Sequence, residues 1–247
     1  MTPRAASSCA PIMRYQVLAT DYDGTIADEG IVDEETLAAL RRARSAGLRL
    51  ILVTGREVVS LCNTFDHIDV FDWIVAENGA VLHQPSSGSM QILSPPPPPQ
   101  LVRALEHAQI PISVGHSIVA TVTPHAEDVV RAIRELGLEW HVILNKGAVM
   151  ALPSDVSKAT GFLAALRAVD GLPDRTIGVG DAENDEAFLR LCGVSVAVDN
   201  ALPSLKEIAD VVTAGARGEG VRELIDRLLS GHFDTVERDP KHSTSPS

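Results

Sequence analysis

Strand and helix signals alternate in both halves of this 247-residue chain. Short apolar runs at residues 15–20, 48–53 and 73–76, and again at 176–180 and 194–198, predict strands, and helical patterns follow most of them. Parallel strands need long crossover connections, so this alternation favours a parallel sheet covered by helices. The chain is therefore expected to be an α/β protein.

The middle of the chain breaks this alternation. Residues 94–99, with five consecutive prolines, predict a stiff connector. The pattern beyond it predicts the order αββαββ, which packs as a small antiparallel sheet with helices on one face. The predicted fold class is thus a Rossmann-like parallel-sheet core with a small inserted α+β domain, here called the cap. The predicted boundaries are residues 15–82 and 156–230 for the core, 83–155 for the cap, and 1–14 and 231–247 for disordered ends.

The composition limits the possible partners and the compartment. A formal net charge of −12 argues against nucleic acid and anionic membranes as partners, because both need a basic surface. The three cysteines, Cys9, Cys62 and Cys192, show no zinc spacing or disulfide framework, which fits the reducing cytoplasm. No apolar run predicts a membrane span, and the first 13 residues lack the features of a signal peptide. We therefore expect a cytoplasmic protein, whereas its oligomeric state does not follow from the sequence.

The sequence Asp21-Tyr22-Asp23-Gly24-Thr25 directly follows the first predicted strand. In an extended chain residues i and i+2 point to the same side, so the two carboxylates should lie together at the carboxyl end of this strand. Ligands bind at that end in α/β sheets. Two adjacent carboxylates repel each other unless a cation lies between them or one is protonated. The pair predicts either a Mg²⁺ site or a nucleophile with an acid–base partner, and the alternative is a solvated acidic loop.

Polar residues also lie at the ends of other predicted elements. They are Thr54, Gly55 and Arg56 after the second strand, Lys158 in the first turn of a helix, and Asp181, Asn184 and Asp185 after the strand at 176–180. In a parallel sheet the three strand ends share one edge. Carboxylates there suit a hard cation such as Mg²⁺, whereas hydroxyl, amide and ammonium donors suit phosphate oxygens. The alternatives are that Thr54 and Asp181 cap helices and that Lys158 is a surface lysine.

These four groups of residues, in this order, resemble the motifs of the haloacid dehalogenase superfamily of phosphohydrolases. The insert between the second and third motifs is similar to the cap of subclass IIB, which includes sugar phosphatases and phosphoglycolate phosphatases. Glu77-Asn78-Gly79-Ala80, just before the insert, is also typical. The resemblance covers roughly residues 15–229 and implies a Mg²⁺-dependent phosphatase that acts on a small phosphorylated metabolite through an aspartyl-phosphate. It leaves the substrate open between a sugar phosphate and a phosphoglycolate-like ester.

The resemblance also implies a role for each matching residue. Asp21 would be the nucleophile and a Mg²⁺ ligand, and Asp23 the general acid–base that also offers the metal its main-chain carbonyl. The other Mg²⁺ ligands would be Asp181 and Asp185, and the phosphate or substrate would be bound by Thr54, Gly55, Arg56, Lys158 and Asn184. Arg56 has a second interpretation, in which it pairs with an acid of the scaffold.

Two other functions remain open at this point. A phosphomutase would use the same Asp21 and Asp23 but return the phosphoryl group to the substrate. A non-catalytic regulatory module would bind Mg²⁺ without turnover. An aspartyl-phosphate ATPase is disfavoured, because that branch of the superfamily carries Thr where this chain has Asp23, which can activate water.

Lys146 is the only lysine in the predicted cap, and it lies in the turn Asn145-Lys146-Gly147. A cation in this turn could contact the part of the substrate remote from the phosphate and favour a carboxylate or a sugar there. The alternative is an ordinary hairpin turn with a solvated lysine. The histidines of the chain show no metal spacing, and we expect His116 to lie on the cap surface.

Overall fold

The computed structural model describes residues 13–235, so the disorder predicted for 1–12 and 236–247 concerns residues outside this range. Eight strands form one sheet: β1 (Val17–Thr20), β2 (Arg49–Val53), β3 (Trp73–Ala76), β4 (Val81–Gln84), β5 (Ser89–Ile92), β10 (Thr176–Gly180), β11 (Val194–Ala197) and β12 (Val211–Val212). Their spatial order is β12-β11-β10-β1-β2-β3-β4-β5. The neighbours from β12 to β3 are parallel, and β4 and β5 pair antiparallel at one edge. The predicted α/β class with a Rossmann-like core is confirmed.

Six helices accompany this sheet: α1 (Glu34–Ser45), α2 (Val58–Thr64), α5 (Lys158–Ala168), α6 (Glu186–Leu189), α7 (Pro203–Ile208) and α8 (Arg217–Leu229). Helix α1 packs against α8, whereas α5 packs against α6 and β3. The start of α1 has a local cause, since the Asp33 carboxylate accepts a hydrogen bond from the N–H of Thr36 at 2.6 Å. Gly47 follows its last turn with φ of +100°, a conformation that favours glycine. None of the described helices is long and apolar enough to cross a membrane.

The cap contains a second, four-stranded sheet with two helices: α3 (Pro99–His107), β6 (Ser113–Val114), β7 (Val119–Val122), α4 (Ala126–Glu135), β8 (Trp140–Asn145) and β9 (Ala148–Pro153). All strand pairs are antiparallel, in the order β6-β7-β9-β8. Leu101 and Leu105 of α3 and Val129 and Ile133 of α4 are buried in a cluster separate from the main core. The cap thus has a small core of its own, and its elements follow the order αββαββ.

The structure departs from the predicted boundaries at three points. Strands β4 and β5 belong to the large sheet, so the cap begins after residue 92 and not at residue 83. The four residues of β5 alternate polar and apolar (Ser-Met-Gln-Ile), but all of them are exposed, so no buried apolar face assigns this strand to the large sheet. Residues 231–235 are not a disordered tail, because Phe233 is fully buried in the main core. Met13, also predicted to be disordered, packs against the same core.

The register of the parallel strands aligns their carboxyl ends. Thr20, the last residue of β1, lies beside Val179 of β10 and Leu52 of β2. The residues that follow these three strands therefore meet at one edge of the sheet, as parallel pairing requires.

Candidate active site

Four charged side chains lie together at this edge. The Lys158 ammonium donates hydrogen bonds to Asp21 Oδ1 at 2.5 Å and to Asp185 Oδ1 at 2.6 Å. All three side chains are nearly fully buried. One oxygen from each of Asp21, Asp181 and Asp185 lies within 4.8 Å of the other two. Buried charges of this kind need a partner of opposite charge, which these side chains provide for one another. The alternatives, in which Asp21 and Asp23 form a solvated loop and Lys158 lies at the surface, are therefore wrong.

The first turn of α5 brings Lys158 to the cluster. Ser157 and Thr160 form a capping box that begins the helix. A Cβ atom on Gly79 would lie 1.9 Å from the carbonyl oxygen of Ser157, and one on Gly161 would lie 2.5 Å from Gly79 Cα. The two glycines therefore allow α5 to touch the backbone that follows β3, and this contact fixes the position from which Lys158 reaches the carboxylates.

The loop after β10 is organised by one of its own acids. Asp185 Oδ2 accepts hydrogen bonds from the N–H groups of Asp181 and Ala182, each at 3.0 Å. Its other oxygen is thereby turned toward Lys158. Thr25 Oγ1 donates to Asp181 Oδ1 at 3.3 Å and links this loop to the one after β1. The loops after the two central strands are thus held together by polar contacts.

Burial and mutual repulsion dominate the electrostatics of the cluster. Burial, reinforced by the charge of Asp185, raises the pKa of Asp21 to about 7, although Lys158 opposes this. Burial also raises the pKa of Asp181 above its ordinary value. Burial alone would lower the pKa of Lys158, but the carboxylates of Asp185 and Asp21 raise it, so the side chain stays a cation. A bound cation would favour the ionised form of these acids.

Asp23 is turned to a different partner. Its carboxylate accepts two hydrogen bonds from the Arg56 guanidinium, from Nε and from Nη2, each at 2.7 Å. The guanidinium also lies over the ring of Tyr22, 5.1 Å from its centroid, and donates to Thr64 Oγ1 at 3.1 Å. Of the two interpretations of Arg56, pairing with an acid is the contact that the structure contains. The acid is not a remote part of the scaffold but Asp23 itself.

The other predicted phosphate-binding residues form the surrounding wall. Thr54 is buried, and its Oγ1 accepts a hydrogen bond from the N–H of Arg56 at 3.1 Å, which shapes the turn after β2. A Cβ atom on Gly55 would lie 3.1 Å from Asn78 Nδ2. Asn184 donates to Asn78 Oδ1 at 3.1 Å, while its own Oδ1 is buried without a partner among the described residues. Asn78 therefore connects the loops after β2, β3 and β10.

Lys146 of the cap reaches the core directly. Lys146 and Gly147 have φ values of +48° and +86° at the β8–β9 turn. Lys146 Nζ donates to the main-chain oxygen of Asp23 at 2.5 Å and to Asp181 Oδ2 at 2.7 Å. The alternative of a solvated lysine in an ordinary turn is therefore wrong, whereas a contact between Lys146 and the substrate stays a prediction. The ammonium lies on the carboxylate cluster itself.

Glu77, which was not among the predicted site residues, forms a second contact between core and cap. Its side chain is fully buried and accepts hydrogen bonds from the N–H groups of His116 at 3.0 Å and Ser117 at 2.9 Å. His116 Nδ1 also lies 3.0 Å from the carboxylate, so this histidine is a partner of Glu77 and not only a surface residue. The sequence shows only that Glu77 directly follows an apolar strand. It gives no sign that the side chain is buried, because acids are seldom buried unless they are paired.

Two cavities meet at Lys146. The smaller, of about 350 Å³, contains Asp21, Asp23 and Arg56 on the core side and Met150 on the cap side. The larger, of about 540 Å³, is also lined by Lys146, together with Asp181, Asn200 and Arg217, among others. The smaller cavity has the size of a small-molecule site and contains the predicted nucleophile.

The donor set at the sheet edge fits a hard divalent cation. It consists of oxygen atoms alone: the carboxylates of Asp21, Asp181 and Asp185 and the main-chain carbonyl of Asp23. Hard divalent cations prefer such ligands over nitrogen and sulfur. The geometry therefore describes an α/β site in which Asp21 faces one small cavity and belongs to a buried carboxylate cluster that could hold a cation.

Comparison with known proteins agrees with this description. A family described as haloacid dehalogenase-like hydrolase matches residues 18–117 and 141–225. The chain is 31% identical over 226 residues to "Phosphoglycolate phosphatase" of Methanothermobacter thermautotrophicus, covering 87% of this chain and 99% of that one. It is 29% identical over 223 residues to "Phosphoglycolate phosphatase 2" of Saccharolobus solfataricus, covering 88% and 94%. Its fold is similar to that of a haloacid dehalogenase subclass IIB sugar phosphatase, with a TM-score of 0.69, 18% identity, and coverage of 90% of this chain and 100% of that one.

The chain belongs to the haloacid dehalogenase-like hydrolase family. The predicted family and the predicted enzyme class, a phosphatase of this superfamily, are confirmed by the family match and the relatives. The likeness to the subclass IIB structure includes the cap as well as the core, because it covers 90% of the chain.

Proposed function

We propose that this protein is a Mg²⁺-dependent phosphatase that hydrolyses small phosphomonoesters through an aspartyl-phosphate on Asp21. The observation that carries the proposal is the buried bridge from Lys158 to Asp21 and Asp185 beside Asp181. It presents a carboxylate to a small cavity next to an oxygen-lined cation site. Phosphoryl transfer needs this combination of a nucleophile, a metal site and a fixed cation.

In the proposed reaction, an oxygen of Asp21 attacks phosphorus, and the ester P–O bond breaks as the Asp21–phosphate bond forms. The leaving alkoxide takes a proton from Asp23. Water then attacks the phosphorus of the aspartyl-phosphate, and Asp23 takes the proton of this water. The bond to Asp21 breaks, which releases inorganic phosphate and regenerates both side chains. Lys158 offsets the negative charge on the phosphoryl group during both steps.

The metal would be held by the same oxygens that define the cluster. Asp21, Asp181, Asp185 and the main-chain carbonyl of Asp23 would ligate Mg²⁺, which when bound neutralises charge on the transferring phosphoryl group. The buried, unpartnered Oδ1 of Asn184 offers a further polar atom beside this site. Thr54 and Gly55 would line the phosphoryl position.

Asp23 must change partners to act as the acid. Both of its oxygens are bound by Arg56, and at least one must face the leaving oxygen. An acidic group on the substrate would compete for the Arg56 guanidinium and release Asp23. This exchange favours substrates that carry a carboxylate near the phosphate ester.

We propose a short carboxylated phosphomonoester, with phosphoglycolate as the first candidate and sugar phosphates as the second. Three observations support the order: the names of the two relatives, the cavity of about 350 Å³, and Arg56 in its wall. The formal net charge of −12 agrees with a small anion held by local cations and not by a basic surface. The cytoplasm remains the proposed compartment.

Phosphate release separates this proposal from its alternatives. The purified full chain, freed of divalent ions, is incubated with phosphoglycolate, sugar phosphates and p-nitrophenyl phosphate, with and without Mg²⁺. We expect free phosphate only with Mg²⁺ and the highest kcat/KM with phosphoglycolate. Full activity in chelator would refute the metal requirement. Rearranged sugar phosphate without free phosphate would identify a phosphomutase. If no ester is converted, the non-catalytic regulatory module is the alternative that remains.

A further inference from the structure

The ammonium of Lys146 contacts two groups that would also ligate the proposed metal, the main-chain carbonyl of Asp23 and the carboxylate of Asp181. Lys146 Nζ lies 2.5 Å from the main-chain oxygen of Asp23 and 2.7 Å from Asp181 Oδ2. Mg²⁺ binds oxygen ligands at about 2.1 Å. A Mg²⁺ on the Asp23 oxygen would therefore lie at most about 4.6 Å from the ammonium, since the two distances to that oxygen add to this value. Two cations at this separation repel each other.

We propose that Lys146 and the divalent cation exclude each other from these oxygens, so that metal binding releases Lys146 into the cavity that contains Asp21. The released ammonium then binds the acidic group of the substrate, together with Arg56. Lys146 is thus a specificity-determining residue that becomes available only after the metal has bound. The substrate-binding half of this inference rests on the proposed function, whereas the exclusion between Lys146 and the metal does not.

The position of Lys146 supports both halves. Its side chain is 48% exposed, so it can leave the cluster without breaking a packed core. Lys146 lines both cavities, and so does Arg56. A bound metal would offset the negative charge of the carboxylate cluster. The side-chain cations of Arg56 and Lys146 would then both line the cavity around Asp21. A second anionic group on the substrate is the ligand that two such cations recognise.

The order of binding follows from the same contacts. While Lys146 holds Asp181 and the Asp23 carbonyl, the cap hairpin lies on the metal site. Metal binding detaches this hairpin, and an anionic substrate attaches it again at a different position. The cap therefore closes productively only over a site that already holds the metal, which prevents a substrate from being enclosed without it.

Metal affinity provides the first test, because it needs no turnover. Mg²⁺ binding to the full chain is measured by titration calorimetry at fixed ionic strength for wild type, Lys146→Gln and Arg217→Gln. Arg217 is a matched control, since it lines the larger cavity, pairs with Asp28 at 3.0 Å and has a side chain 45% exposed. We expect Lys146→Gln to bind Mg²⁺ on the order of tenfold more tightly, because the metal no longer displaces an ion pair and a charge-assisted hydrogen bond. Arg217→Gln removes the same charge from the same cavity without freeing a ligand, so its affinity should stay within about threefold of wild type.

A direct readout of the ammonium completes the test of exclusion. The chain has four lysines, so ¹⁵N NMR of the lysine side chains gives few signals, and Lys146→Gln assigns one of them. Saturating Mg²⁺ should shift or broaden the Lys146 signal as its hydrogen bonds to Asp23 and Asp181 break. An unchanged Lys146 signal, or equal gains in Mg²⁺ affinity in the two variants, would overturn the exclusion.

Kinetics test the substrate-binding half. In saturating Mg²⁺, Lys146→Gln should raise KM for phosphoglycolate by about tenfold or more and leave KM for p-nitrophenyl phosphate, which has no second acidic group, near wild type. Equal effects on both esters would overturn this half. Failure of wild type to release phosphate from any ester would instead reject the proposed function, while the binding and NMR results would still decide the exclusion.

Discussion

Replacing Lys158 by methionine should destabilise the folded protein strongly. Methionine is similar in length and flexible, so the replacement keeps most of the buried volume and removes the ammonium. The carboxylates of Asp21 and Asp185, which both bind this ammonium within 2.6 Å, would then lie in a buried site without a cation. Like charges left in this way must either repel each other or take up a proton.

The structure sets the size of the expected effect. Removing one partner of a buried ion pair costs about 3–5 kcal/mol. In a protein of this length 1 kcal/mol corresponds to a shift in Tm of about 2–4 °C, so the midpoint should fall by about 6–20 °C at neutral pH in the presence of chelator. Saturating Mg²⁺ should recover part of this loss, because a cation that binds the folded state stabilises it. Phosphatase activity should not recover, since the charge of the phosphoryl group is no longer offset by Lys158.

Thermal unfolding by calorimetry, with and without Mg²⁺, measures this prediction. Lys206→Met is the matched control, because Lys206 pairs with Asp199 at 3.3 Å at the surface and should contribute less than about 1 kcal/mol. If Lys158→Met and Lys206→Met unfold at the same temperature in chelator, the Lys158 ammonium does not stabilise the buried carboxylates of Asp21 and Asp185. The description of the cluster as a buried ion-pair network would then be wrong.

Three further predictions concern the two aspartates proposed to react, the packing of α5 and the cap contact. Asp21→Asn should abolish phosphate release in a protein that still folds, because the amide cannot attack phosphorus, and Asp23→Asn should slow release by about 10²–10⁴-fold. Gly161→Ala should destabilise the protein by about 1–3 kcal/mol in denaturant unfolding, because its Cβ would lie 2.5 Å from Gly79 Cα and this overpacking outweighs the gain in helix propensity. Glu77→Gln should increase hydrogen exchange in the β6–β7 turn, because an amide cannot accept all the hydrogen bonds that the carboxylate accepts.

Each of these has an outcome that contradicts it. Turnover of Asp21→Asn at the wild-type rate would assign the nucleophile elsewhere. A stabilised Gly161→Ala would mean that α5 has room at its contact with the chain after β3. Glu57→Gln is the control for Glu77, since Glu57 binds Ser113 of the cap at 2.7 Å at an exposed position. If Glu57→Gln increases hydrogen exchange in the β6–β7 turn as much as Glu77→Gln does, burial of Glu77 does not strengthen its contact with the cap.

The core and most of the site could be predicted because their signals are local. Each central strand is a short apolar run that ends in polar residues, and the parallel register then brings Asp21, Thr54 and Asp181 to one edge. Helix α1 carries its own start signal in Asp33. The place of β5 in the large sheet could not be predicted, because its four residues are all exposed and their assignment to this sheet depends on pairing with β4.

The contacts that the sequence could not supply join residues far apart in the chain. Asp23 and Arg56 come from different strand ends, and only the geometry of the loops decides that the arginine pairs with this acid. Lys146 meets Asp181 only because the cap packs on the core in one particular orientation. Glu77 reads in the sequence as part of a turn, and its burial depends on the approach of the β6–β7 turn.

Glu77 and Lys146 hold opposite ends of the cap sheet. Strand β7 leads from the turn bound by Glu77 toward the Lys146 hairpin, where Thr123 Oγ1 donates to the Gly147 carbonyl at 2.8 Å. Four strand residues span about 13 Å, so a rotation of about 20° around the Glu77 end moves the Lys146 end by about 4–5 Å. The ion pair with Asp181 is only 2.7 Å long and would be broken completely by this displacement. A small rotation of the cap about the buried Glu77 contact would therefore be enough to separate the Lys146 ammonium from the carboxylate cluster.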